Sequence, residues 1–197
     1  MTTATGNPLN AAFLKSKFET ASPYETYVAT GTDAQRDGWQ KIYDQAKLTE
    51  AQQQLIAGFT RDMKILVSSG VWCGDCVQQI SLLQKIAEAS NGTIDLRIVD
   101  RDKHADLAEQ IQICGGMRVP VAVFMAEDYE FVSLFGDRSL TRYRAIAAKQ
   151  LGAACAVPGA PIPDDELAGT LQDWLDEVER VHLLLRLSTR LRQKHND

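Results

Sequence analysis

The chain has 197 residues, 45% of them hydrophobic, enough to enclose one sizeable core or one domain with a helical addition. A net charge of −5 and a pI of about 5.2 leave no footprint for nucleic acid or an anionic membrane, and no apolar run approaches the ~18 residues of a membrane span. Its four cysteines, Cys73, Cys76, Cys114 and Cys155, make no disulfide scaffold at this length and fit a reducing, cytoplasmic setting; Met1 to Gly6 lacks the basic and apolar regions of a signal peptide.

Residues 1 to about 8 are polar and expected to fray. Ala11 to Phe18 can form a short helix, which Ser22-Pro23 breaks. Gly31-Thr32-Asp33 offers a cap, after which Trp39, Ile42, Tyr43 and Ala46 recur at helical spacing. Thr49-Glu50-Ala51-Gln52 reads as a capping box, starting a helix that carries Leu55, Ile56 and Phe59. Lys64 to Ser69 suits a short, buried central strand. Cys76, Ile80, Leu83 and Ala87 then share one helix face, and Asn91-Gly92 stops that helix. Ile94 to Val99 is the next strand, and strand, helix, strand within this length imply a right-handed parallel crossover. Leu107, Ala108 and Ile111 mark a short helix.

Cys114 to Arg118 forms a turn. Val119-Pro120 leads into a strand, Val121 to Met125, where proline is tolerated at the opening. A hairpin loop around Asp128 returns the chain as Glu130 to Phe135, and Ser139 can cap a helix over Leu140 to Leu151. Val157 to Pro163 has linker composition. Asp164 is expected to cap one long helix reaching about Arg192, with the apolar stripe Leu167, Leu171, Trp174, Leu175, Val178, Val181 and Leu185 and a basic end. The order β-α-β-α-β-β-α makes an α/β fold, a mixed sheet with helices on both faces. Residues 1–62 form an N-terminal helical extension packed on the core, 63–152 the core, 153–163 a linker and 164–197 a C-terminal helix.

The chemistry concentrates in Trp72-Cys73-Gly74-Asp75-Cys76, at the junction of a strand and a helix. A Cys-x-x-Cys there reads as a dithiol redox site. The spacing brings both sulfurs to one helix face, and the helix N-terminus favours the Cys73 thiolate. Cys76 is placed to resolve a mixed disulfide. Half of a metal site and two inert core cysteines are the competing readings; Cys114 and Cys155 are spaced unlike a zinc knuckle. The carboxylate of Asp75 is expected to raise the thiol pKa values and make the couple more reducing, unless it is simply solvated. Cys114 is expected to be buried and inert, with a third redox thiol the alternative; Cys155 reads as structural or incidental.

From about Lys64 to Leu151 the chain resembles thioredoxin. The resemblance rests on the strand before the motif, on Trp72 to Cys76, on Arg118-Val119-Pro120, and on the hairpin ending in Phe135-Gly136. Trp72-Cys73-Gly74-Asp75-Cys76 after a helical front end resembles a bacterial thioredoxin-like subgroup. The resemblance implies a cis Pro120 facing the dithiol, Val119 pairing with an extended substrate, Trp72 on an apolar docking surface, and close backbone approach at Gly136. Arg118 could meet an acidic substrate or be a solvated turn residue. Two departures stand out: a first strand is missing, and Val67 occupies the position of a buried aspartate that helps deprotonate the resolving thiol.

The expected function is cytoplasmic thiol–disulfide exchange on a disulfide-bearing protein or small thiol substrate. A separate reductase must restore the dithiol, since no nicotinamide or flavin fingerprint and no other cofactor motif is present. A non-catalytic interaction module or redox sensor is the alternative, and a homodimer through the C-terminal helix is conceivable.

Overall fold

The computed structural model describes residues 7–151 and 165–197. In chain order the elements are α1 (Ala11–Thr20), α2 (Tyr24–Val28), α3 (Asp33–Gln45), α4 (Glu50–Ala57), β1 (Met63–Ser69), α5 (Gly74–Ala89), β2 (Ile94–Asp100), α6 (Ala105–Ala108), β3 (Val121–Ala126), β4 (Phe131–Gly136), α7 (Leu140–Leu151), α8 (Glu166–Leu187) and α9 (Thr189–His195). The strands form one mixed sheet in the order β2-β1-β3-β4. β1 is parallel to β2 and antiparallel to β3, which pairs antiparallel with β4. This is a thioredoxin-like fold with a long C-terminal helix.

Local chemistry sets the N-terminal helices. Asn10 caps α1 by accepting the Phe13 N–H at 3.0 Å. Thr32 and Thr49 each make a reciprocal capping box, with Gln35 and Gln52 respectively. One helix was not legible in advance. Pro23 ends α1's exit but also precedes α2, a single turn whose Tyr24 and Tyr27 pack edge-on against Trp39 at 5.7 and 5.9 Å. Along the outer edge of β2, Ser22 makes a lone antiparallel bridge to Ile98, with hydrogen bonds of 2.9 and 2.8 Å. A strand there is thus reduced to one residue.

Both faces of the sheet are covered. Ile65 and Val67 point to one side, where Trp39, Ile56, Cys76, Leu83, Trp174 and Val178 are buried. Leu66 points to the other, against Leu14, Phe18, Leu107 and Val123. Burial on both sides explains why the centre of β1, Ile65 to Val67, is apolar without alternation.

The C-terminal helix differs from expectation in two ways. Its N-cap is Asp165, which accepts the Ala168 N–H at 2.9 Å, and not Asp164, which lies outside the described residues. The helix ends at Leu187, because Ser188 turns to an extended ψ of 115° and starts α9. Its apolar stripe is buried within this chain from Leu171 to Leu185, so the helix packs on the domain, while Leu183, Leu184 and Leu187 stay exposed. The basic end is spent on the β3–β4 hairpin: Arg190 pairs with Asp128, and Lys194 and His195 reach Glu127 at 2.5 and 2.9 Å. The linker 153–163 and Cys155 fall outside the described residues. Among those described, no helix is long and apolar enough to cross a membrane.

Candidate active site

β1 ends at Ser69, and after a three-residue loop Cys73 caps α5. Cys73 is therefore the N-cap of α5. Its sulfur accepts the Cys76 N–H at 3.3 Å and lies 3.7 Å from the Val119 carbonyl oxygen. Both thiols are free; Cys73 is half-buried and Cys76 fully buried. The Cys73 pKa is lowered to about 6, chiefly because the Cys76 thiol donates to its sulfur. Burial opposes this, while the Cys76 and Asp75 backbone N–H groups assist, as helix N-terminal donors favour an anion. Burial and the neighbouring Cys73 push Cys76 well above the ordinary thiol value. The environment thus favours a thiolate on Cys73 and a protonated thiol on Cys76.

Supports for this geometry come from distant segments. Trp39 on α3, fully buried, donates its indole N–H to the Val71 carbonyl at 3.0 Å and pins the loop that carries Trp72. Trp72 is 54% exposed, so it caps no core. Its ring lies on Gly70, where an added Cβ would meet indole carbons at 2.7 Å, and the Arg101 guanidinium stands 5.3 Å from its centroid. Across from it the Val119–Pro120 peptide is cis. A Cβ at Gly136 would sit 2.6 Å from the Pro120 carbonyl oxygen, so β4 can lie against this segment only with glycine there. Gly74 has open space around it.

Asp75 is neither solvated nor a free charge beside the thiols. Arg138 holds it at 2.7 Å and Arg142 at 2.9 Å, and Arg142 also reaches Glu166 at 2.7 Å. These arginines join the start of α5 to α7 and α8. The like-charge effect of Asp75 on Cys73 has the expected upward sign but is the weakest of its named influences, and the net shift is downward. Asp75 therefore makes Cys73 only a slightly poorer thiolate, an effect outweighed by the hydrogen bonds to the sulfur. Its present effect is to neutralise two arginines. Replacing it, Asp75→Asn, leaves that positive charge near Cys73. We expect the Cys73 pKa to fall below 6, by up to about one unit, and the couple to become more oxidising by up to about 30 mV. Thiolate absorbance and a glutathione titration check both; an unchanged or more negative potential would contradict the charge balance described.

The model of the thioredoxin family matches residues 21–149. The chain belongs to the thioredoxin family. No curated protein matches it. Among solved structures, a protein of unknown function from Pseudomonas aeruginosa superposes with a TM-score of 0.67 at 18% identity, covering 87% of this chain and 98% of its own. An HIV epitope-scaffold superposes with a TM-score of 0.65 at 17% identity, again covering 87% and 98%. At such identities both speak to the fold alone.

On this thioredoxin-family frame the remaining candidates fall apart. Arg118 is neither a free cation nor purely solvated, since it donates to the buried Asp137 at 3.1 Å. Burial alone would raise Asp137; hydrogen bonds from Tyr143 and Arg118 hold it below the usual carboxylate range. Cys114 is exposed, contrary to the expected buried thiol: it sits at φ 51° in a tight turn closed by Ile113 and Gly116, which projects it outward. Among the described residues no cluster of three His, Cys, Asp or Glu side chains could hold a metal. Four contributors were missed: Trp39, Arg138, Arg142 and Gln79. Gln79, buried on α5, donates to the Asp137 carbonyl and accepts the Ser139 N–H, each at 2.9 Å. Arg138 stands in the loop before α7 and Arg142 in its first turn, so no helical spacing in the sequence ties them together.

Proposed function

We propose that this thioredoxin-family chain is a thiol–disulfide oxidoreductase using Cys73 and Cys76. The reading's main support is the half-buried Cys73 sulfur at the start of α5, with its pKa lowered to about 6, beside a buried thiol that keeps its proton. At neutral pH Cys73 is mostly thiolate and attacks one sulfur of a substrate disulfide. The other substrate sulfur leaves with the electron pair. Cys76 then attacks Cys73, forming the Cys73–Cys76 disulfide and releasing the reduced substrate. The substrate is a disulfide-bearing protein or small disulfide, docked with its extended backbone along Val119 and against the exposed face of Trp72. A separate reductase in a reducing, cytoplasmic setting returns the dithiol.

A stabilised thiolate stabilises the reduced protein. A pKa of about 6 lies just below the thioredoxin value of about 7 and far above the roughly 3.5 of a strong oxidant. The potential should therefore fall slightly above about −270 mV and well below about −120 mV.

Two measurements follow. Dithiothreitol-driven reduction of insulin should be accelerated by the wild-type chain, and an uncatalysed rate would refute the proposal. Alkylation of Cys73 by iodoacetamide should rise with pH through a midpoint near 6. Because the folded pKa is depressed, the reduced protein gains stability over Cys73→Ala between pH about 6 and about 8.5 and loses it as pH falls. A midpoint near 8.5 would mean that the α5 N-terminus does nothing for this sulfur.

A further inference from the structure

Residues two apart on a strand share a face, so Ser69 continues the side of β1 that carries Ile65 and Val67. Val67 cannot take a proton from Cys76. Ser69, next on that face, is fully buried, and Tyr27 of α2 is 3% exposed. Among the described residues neither Ser69 Oγ nor Tyr27 Oη has a hydrogen-bond partner. An unpartnered buried hydroxyl is destabilising, so two at one place call for a function. Both lie by the dithiol: the Ser69 hydroxyl favours the Cys76 thiolate, and Tyr27, held up chiefly by burial, is near enough to Ser69 for that hydroxyl to act on it and also feels charge on Cys76, Asp100 and Cys73. Asp100 is the register partner of Ser69 on β2 and already accepts the Asp102 and Lys103 N–H groups, while Asp75 is held by its two arginines.

We propose that Ser69 and Tyr27 form a buried pair of donors that stabilises the Cys76 thiolate while the mixed disulfide is resolved. This rests on the exchange reading given above. In that step the Cys76 thiol loses its proton and its sulfur attacks Cys73 Sγ. The Cys73–substrate S–S bond breaks, the Cys73–Cys76 bond forms, and the electron pair leaves on the substrate sulfur, which takes up a proton. Two electrons have passed from the dithiol to the substrate disulfide. The negative charge on Cys76 exists only during this step, in a site closed to water. Donors already in place, with no partner but each other to give up, serve such a charge best. Tyr27 belongs to the helical extension, so that extension completes the site as well as covering the core.

The test separates the two half-reactions. Dithiobis-nitrobenzoate releases one coloured thiol when Cys73 attacks and a second when Cys76 resolves the mixed disulfide. Ser69→Ala and Tyr27→Phe should leave the first phase within about twofold of wild type. Each should slow the second about tenfold and move its pH midpoint upward, since a hydrogen bond to a charged group is involved. Ser69→Thr should restore the second phase. Tyr27→Phe should also melt no lower than wild type, because it removes an orphaned hydroxyl, whereas a structural hydroxyl would cost stability. An unaltered second phase in both variants, with the first phase normal, would overturn the donor pair while leaving exchange intact. A wild-type chain with no first phase would overturn the exchange reading itself.

Discussion

Cys73→Ser is expected to bring disulfide exchange down to the uncatalysed level, a loss on the order of a thousandfold or more, and Cys76→Ser to leave the first attack intact. The asymmetry follows from position. Cys73 stands at the helix N-cap, half-buried, with its sulfur receiving N–H groups that stabilise the thiolate. A serine hydroxyl there has no comparable anion at neutral pH. Cys76 is fully buried and keeps its proton, so it cannot meet a substrate directly. Its loss should trap the substrate on Cys73 as a mixed disulfide, visible as a covalent adduct on a non-reducing gel. If Cys76→Ser were dead in the first attack and Cys73→Ser were not, the assignment of roles would be reversed.

The second large effect concerns a residue far from the motif in sequence. Trp39→Ala should destabilise the fold by about 3–5 kcal/mol from the deleted ring alone, with about 1 kcal/mol more for the Val71 carbonyl left unpaired. Against a total stability of 5–15 kcal/mol typical of such domains, that is enough to unfold a marginal one. Trp39 is fully buried, two tyrosines pack on its edge, and its N–H holds the loop between β1 and Cys73. Trp39→Phe keeps most of the ring and loses only the donor. We expect it to fold, to lose about 1–2 kcal/mol, and to exchange more slowly because Trp72 and Cys73 are less firmly placed. Denaturant unfolding and the insulin assay read the two effects separately. Stability and rate both equal to wild type in Trp39→Phe would show that the indole N–H positions nothing.

How much of this was legible in the sequence depended on range. Thr49 and Gln52 signal a helix start from three residues apart, and the alternation of Ile94, Leu96 and Ile98 signals a strand from within itself. The dithiol was readable for the same reason, being five consecutive residues at a strand-to-helix junction. α2 escaped because one turn leaves too short a period, and its tyrosines are fixed by Trp39, which lies elsewhere in the chain. The charge partners of Asp75 escaped because they lie 63 and 67 residues away. A charge read alone suggested a more reducing couple; clamped, the same charge keeps that sign but is outweighed at Cys73 by the hydrogen bonds to its sulfur. Cys114 was misplaced because composition does not say which way a tight turn projects its side chain. Ser188 was overlooked because the basic run from Arg186 to Lys194 carries no glycine or proline to mark the break.

The most direct test of the whole account is a redox titration of the reduced chain against glutathione, followed by alkylation and mass measurement of Cys73 and Cys76. The account predicts a single two-electron transition in which both cysteines are lost from the alkylated pool together, at a potential slightly above about −270 mV. Two thiols that alkylate independently across the range, with no intramolecular disulfide formed, would contradict it.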